Sequence, residues 1–210
     1  MDTSRAQISE SREPYLRESR ATVLLLVVCA LYFVVELVVV GRTATDPSDA
    51  LLDSYWILDA TILTSIGALD VTRVWLDHEW WRLFTTSLMH GSWIHLILNL
   101  TALASIGPWV EKVWGWRAML VGFWASAVLG ALASCAWVEA RFVVGASGGI
   151  LGLAVILWAA RVWGNREVRA SLEDILASRL GWMLVAILAL GFLVPAIAQA
   201  GHIGGFVAGA

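Results

Sequence analysis

The stretch "VVGASGGILGL", Val143 to Leu153, sets one hydroxyl, Ser147, among Gly145, Gly148 and Gly149 at the mouth of an apolar run. A serine hydroxyl is a weak nucleophile and needs a base beside it. "GHIGGFVAG", near the end of the chain, offers His202. A neutral imidazole, with an unperturbed pKa of ~6.5, accepts a proton near physiological pH. Upstream, "HLILN" spaces His95 and Asn99 four apart, on one face of a shared helix, and both side chains can donate hydrogen bonds. A nucleophile, a base and aimed donors are the parts for attack on a carbonyl, whose developing oxyanion must be stabilised. If Ser147 opens a helix, its free backbone N–H and the positive end of the helix dipole join that set. No acidic residue stands near Ser147 or His202 in sequence, so the parts make a dyad and not a Ser-His-Asp triad. Each residue also has a bland reading. Glycines four apart permit close helix packing, a buried histidine can be structural, and His95 and Asn99 can be interhelical glue.

The elements that must position these groups are membrane helices. The 210 residues are 59% hydrophobic and 15% charged, with a mean hydropathy of +0.75. A soluble domain is about 45–50% apolar and about 25% charged. The apolar residues fall in long blocks, and crossing the hydrocarbon takes ~20 residues of helix. Six spans are predicted, at Thr22–Val40, Trp93–Val110, Ala118–Trp137, Ser147–Val162, Arg179–Ala198 and from Gly201 onward. The first block is too long for a signal-peptide core and lacks a clean small-x-small site after it, so it reads as a retained span. Residues 1–20 form a charged tail and 21–210 one membrane domain. Gly41 to Arg82 carries Tyr55, Trp56, Trp75, Trp80 and Trp81 among its charges, which suggests a structured interfacial loop and not a linker. Cys29 and Cys135 lie inside apolar blocks and read as small core hydrophobes, with neither a disulfide framework nor a metal site implied. The net charge of -3 and the lack of a basic block give no sign of a nucleic-acid partner.

Arginine and lysine set the orientation. With the N-terminus inside, Arg5, Arg12, Arg17, Arg20, Lys112, Arg117, Arg161, Arg166, Arg169 and Arg179 all fall on the inner side. Only Arg42, Arg73, Arg82 and Arg141 fall outside. Spans two, four and six then all start in the outer leaflet, which brings His95, Asn99, Ser147 and His202 to one depth. Polar groups inside lipid are costly unless paired or hydrated, so a cluster at one depth points to function. Gly148 and Gly152 follow Ser147, and Gly205 and Gly209 follow His202, each pair spaced by four. Two such faces would let spans four and six touch backbone to backbone and bring the dyad together. From Gly201 to Ala210 there is only ~15 Å of helix, half a bilayer core, so either the chain is truncated there or the final helix is unusually short, and truncation is the favoured expectation.

"WWRLFTTSLMHGSWIHLILNL", "GPWVEKVWG", "GASGG" and "GHIGGFVAG" together resemble the rhomboid family of intramembrane serine proteases, from about Leu69 to the end. The G-x-S-G element alone is weak. Its occurrence between H-x-x-x-N upstream and H-x-x-G-x-x-x-G downstream, on alternating spans, is specific. The resemblance implies an all-α, six-span helical bundle with a water-accessible cavity open to the outer face. It implies Ser147 as nucleophile, His202 as general base, and His95, Asn99 and the Ser147 N–H as oxyanion donors. His90 would stand beside the cavity, in its hydrogen-bond network or as a structural residue. Trp81 and Arg82 match a structural pair of the first outer loop. Gly107, Glu111 and Gly115 match a G-x-x-x-E-x-x-x-G element, in which Glu111 would be scaffold. No cofactor is implied, and the partners would be the bilayer and transmembrane protein substrates, cut in or near their membrane segments. A catalytically inactive relative that binds membrane clients is the rival, although such relatives typically lack the serine or the histidine. A transporter would also need polar residues through the inner leaflet, where spans two, four and six are almost wholly apolar apart from Thr101 and Ser105. A single lysine against thirteen arginines hints at a GC-rich, prokaryotic genome and hence a plasma-membrane location.

Overall fold

A computed structural model describes residues 16–43, 58–136, 142–172 and 199–210. After a single 3₁₀ turn, α1 runs over Arg20–Thr43, and the first loop contributes α2 (Ala60–Ile66), β1 (Leu69–Asp70), α3 (Val71–Leu76) and α4 (Arg82–Thr85). A 3₁₀ turn at Thr86–Leu88 leads into α5 (Trp93–Ala136). Then come β2 (Phe142–Val143), α6 (Ser147–Trp163), α7 (Arg166–Ser171) and α8 (Gln199–Gly209). The architecture is an all-α membrane bundle, as the sequence predicts. The predicted fifth span, Arg179–Ala198, and most of the tail lie outside the described residues.

The lipid-facing character is visible in the side chains. On α1, Leu24, Leu31 and Val34 point outward at 53%, 61% and 53% exposure, while Leu25, Cys29 and Phe33 are buried. A helix apolar all round suits a medium as apolar as its own core. Spans two and three together form α5, two helical arms that meet at a break at Gly115 (φ 83°, ψ 166°). The two arms fold back on one another, since Leu103 and Ile106 share a core with Met119 and Phe123. α1, α6 and α7 close that core through Leu25, Ile150 and Val168.

Two devices register the bundle. At the start of α1 the backbone N–H groups of Ala21 and Thr22 donate to the Glu111 carboxylate, the latter at 2.6 Å, and the Thr22 hydroxyl adds a third bond. These are orphan donors of a helix N-terminus, and an anion there also opposes the positive end of the dipole, an effect typically worth ~0.3–1 kcal/mol. Glu111 is therefore a cap joining spans one and two. In the loop, Arg82 is buried; its Nη1 donates to the carbonyls of Thr64 and Ala68 at 2.7 Å each, and its Nε to Glu79. The guanidinium also lies 4.5 Å from the Trp81 ring centre. Asp59 caps α2, and hydrogen bonds from the Ile62 and Thr61 backbone hold its carboxyl below the ordinary carboxylate range.

Over residues 58–82 the loop is structured, and it contains an element the sequence did not reveal; Tyr55 and Trp56 lie outside the described residues. β1 pairs antiparallel with β2, Leu69 opposite Val143 and Asp70 opposite Phe142. Thr86 extends this attachment, its hydroxyl donating to the Val143 carbonyl and its own carbonyl accepting from the Gly145 N–H at 2.9 Å. The first loop is thus tied to the few residues that lead into Ser147.

Candidate active site

Ser147 is the first residue of α6. Gly145 turns the chain out of β2 with φ 130°, a conformation an L side chain rarely adopts. No side chain caps α6, so the Ser147 N–H is among the donors without an intrahelical acceptor. His202 sits in the first turn of α8, buried at 3% exposure. Its Nε2 lies 2.7 Å from Ser147 Oγ. With the ring proton on Nδ1, the hydroxyl donates to Nε2, and the ring can take that proton as the oxygen attacks. His202 Nδ1 has no hydrogen-bond partner among the described residues, so no third member of a triad is seen there.

Glycines make the approach possible. A Cβ on Gly205 would fall on the Gly148 carbonyl, 2.9 Å from Gly148 Cα, and one on Gly209 would meet Gly152 in the same way. The predicted pairing of the two small-residue faces is realised. The second arm of α5 joins them, since a Cβ on Gly130 would stand 2.6 Å from the Gly201 carbonyl oxygen.

His95 reaches the same place from α5. A Cβ on Gly145 would stand 2.8 Å from His95 Nε2 and 3.7 Å from Ser147 Oγ, so both groups flank one small space. His90 packs its ring edge-on against His95, with centroids 5.2 Å apart. Asn99 is buried one turn further along, and its amide donates to the His95 carbonyl at 2.9 Å instead of pointing free into the site. A cavity of about 30 Å³ opens beside Ser147, Gly145, Thr86, Gly201 and His202. One water needs ~10–15 Å³ of such space, so Ser147 has room for solvent beside it.

A family model described as the rhomboid domain matches residues 77–210. The chain belongs to the rhomboid family. RHOMBOID-like protein 4 of Arabidopsis thaliana is 32% identical over 155 residues, which cover 70% of this chain and 36% of that protein. Rhomboid protease GluP of Bacillus subtilis (strain 168) is 33% identical over 148 residues, 70% of this chain and 28% of that protein. The chain thus spans about a third of the length of these relatives.

In this rhomboid the structure gathers Ser147, His202, His95, Gly145 and Gly148 at one point, with His90 and Asn99 next to it. Trp81 and Arg82 stand apart in the loop knot, and Glu111 caps α1. Two further residues were not singled out in the sequence. Thr86 holds the strand before Ser147, and Glu36, in α1, accepts the His90 N–H. A lone carboxylate inside an otherwise uncharged span is the signal that could have found Glu36.

Proposed function

We propose that this chain is an intramembrane serine endopeptidase that hydrolyses peptide bonds in or near transmembrane segments of other membrane proteins. The observation that carries the reading is the 2.7 Å contact between Ser147 Oγ and His202 Nε2 at the foot of a cavity with room for water. Ser147 Oγ attacks the carbonyl carbon and its proton passes to His202 Nε2. The resulting oxyanion takes hydrogen bonds from the Ser147 N–H, from His95 and from Asn99. His202 then protonates the leaving amine, the acyl-enzyme forms, and a water deprotonated by His202 releases the new carboxyl end. An intact helix shields its carbonyls in hydrogen bonds, so substrates with helix-breaking residues near the cut site unwind and react more readily. The arginine bias supports a cytoplasmic N-terminus and an outward-facing site, and the arginine-rich usage supports a prokaryotic plasma membrane.

A serine-reactive fluorophosphonate probe tests the reading. Wild-type chain in detergent is expected to label and Ser147→Ala not to; labelling that persists in the variant points to another serine and ends the assignment. Asn99→Ala is expected to lower kcat by about 10²-fold, the low end for loss of one oxyanion donor, because its amide must first leave the His95 carbonyl. Normal kcat with a lowered melting temperature would assign Asn99 to packing instead.

A further inference from the structure

His90 follows a sharp local change of direction. The 3₁₀ turn at Thr86–Leu88 ends on Met89, which is extended at φ -90° and ψ 152°, and α5 starts only at Trp93. The backbone N–H of His90 therefore falls between two helical ladders, and a buried N–H needs an acceptor. That acceptor is Glu36, from 54 residues upstream in α1, with Oε1 at 3.0 Å and Oε2 at 3.3 Å. Glu36 is completely buried, on the stretch of α1 whose Cys29, Phe33 and Val40 pack with Met89 and Leu96. Among the described residues it forms no ion pair. A carboxylate in such a place is expensive, and one in a membrane span marks function by default.

The His90 side chain is held as firmly as its backbone. With the ring proton on Nδ1 it donates to the Leu88 carbonyl at 3.2 Å, and the ring then lies edge-on against His95. His95 in turn rests against Gly145, two residues before the nucleophile. No hydrogen bond to the His95 ring is made among the described residues, so its placement depends on the walls around it. Glu36, His90, His95 and Gly145 form a continuous stack from span one to the Ser147 site.

We propose that Glu36 is a positioning residue. Its carboxylate clamps the His90 backbone and so sets the His90 ring as the wall that aims His95 at the space beside Ser147. The carboxyl group touches no ring atom of either histidine in any hydrogen bond among the described residues, so it acts through the main chain and not as the acid of a relay. The consequence for turnover rests on the proteolytic reading; the consequence for ring placement does not.

The experiment uses the full chain in lipid nanodiscs with ¹⁵N-labelled imidazoles, comparing wild type, Glu36→Leu and Glu36→Gln. Four histidines are present, so single substitutions assign the signals. Glu36→Leu is expected to move the His90 and His95 ring signals and leave His78 in place, whereas Glu36→Gln, which keeps an acceptor oxygen, stays near wild type. In a transmembrane-substrate assay, Glu36→Leu is expected to lower kcat about 10- to 100-fold with KM unchanged, the scale for a misplacement near 1 Å. In a His90→Ala background the same change should cost less than about twofold, because neighbours acting in series are not additive. Unmoved ring signals in Glu36→Leu, or a full additional loss in the His90→Ala background, overturn the proposal. Should Glu36→Leu fail to fold, Glu36→Gln decides alone: a Gln variant as impaired as His90→Ala overturns it. Moved ring signals in a chain that cleaves nothing uphold the positioning role and reject the protease.

Discussion

Ser147→Ala is expected to reduce cleavage of a reconstituted transmembrane substrate by roughly 10⁴–10⁶-fold, to the background of the assay. His202→Ala should fall as far, and the double variant no further. The reason lies in the 2.7 Å contact. An alcohol attacks a peptide carbonyl only as its proton leaves, and His202 Nε2 is the acceptor in reach. Remove either atom and the other has nothing to act with, so the two losses overlap instead of multiplying. The Oγ-less variant keeps its fold, because the cavity beside Ser147 needs no hydroxyl to stay open. Initial rates in proteoliposomes, with melting temperatures measured on the same samples, check this. Losses that multiply would mean that Ser147 and His202 serve different steps.

Gly205→Leu should be nearly as damaging, and by another route. The position its Cβ would take already belongs to the Gly148 carbonyl group, which is backbone and cannot swing aside. α8 must retreat from α6, and His202, less than one turn before Gly205, retreats with it. Hydrogen-bond reach to Ser147 is lost. A kcat loss of about 10²-fold or more follows from a 1 Å displacement, and overpacking adds about 1–3 kcal/mol of destabilisation. Fluorophosphonate labelling of Ser147 should slow in parallel, since it needs the same base. Val207→Leu is the control: that side chain is 67% exposed and should leave both readouts unchanged. Wild-type rates in Gly205→Leu would show that the two backbones do not depend on touching.

These expectations rest on features that differ in how openly the sequence carries them. The convergence of Ser147, His202 and the glycine pairs was legible because alternate spans begin at the same side of the bilayer, so their first residues share a depth. The outward apolar faces were legible as long uncharged blocks. Glu36 stands out as a lone acid in its span, but its task was hidden because its partner is a backbone N–H, which has no residue type to betray it. Glu111 was visible, but not its task, for the same reason: two of its donors are main-chain groups at the start of α1. β1 and β2 are two residues each, too short for alternation to show. Asn99 has the right face and register for the site, yet a carbonyl one turn back competes for its amide. Position along a helix is written in spacing; rotamer choice is not.

The tie between the outer loop and the chain before Ser147 has a bearing on where chemistry happens in the bilayer. β1, β2 and Thr86 fasten the stem of the nucleophile to the piece that carries Trp75, Trp80 and Phe84, all more than two-fifths exposed. Indoles settle at the headgroup boundary. That aromatic float would then set the altitude of the serine more than the length of α6, which at 17 residues extends only about 26 Å. On the proposed reading, the anchor and the Ser147 hydroxyl would rise or sink as one in thicker or thinner lipid, and a substrate would be met at a constant distance from the water, whatever lies beneath.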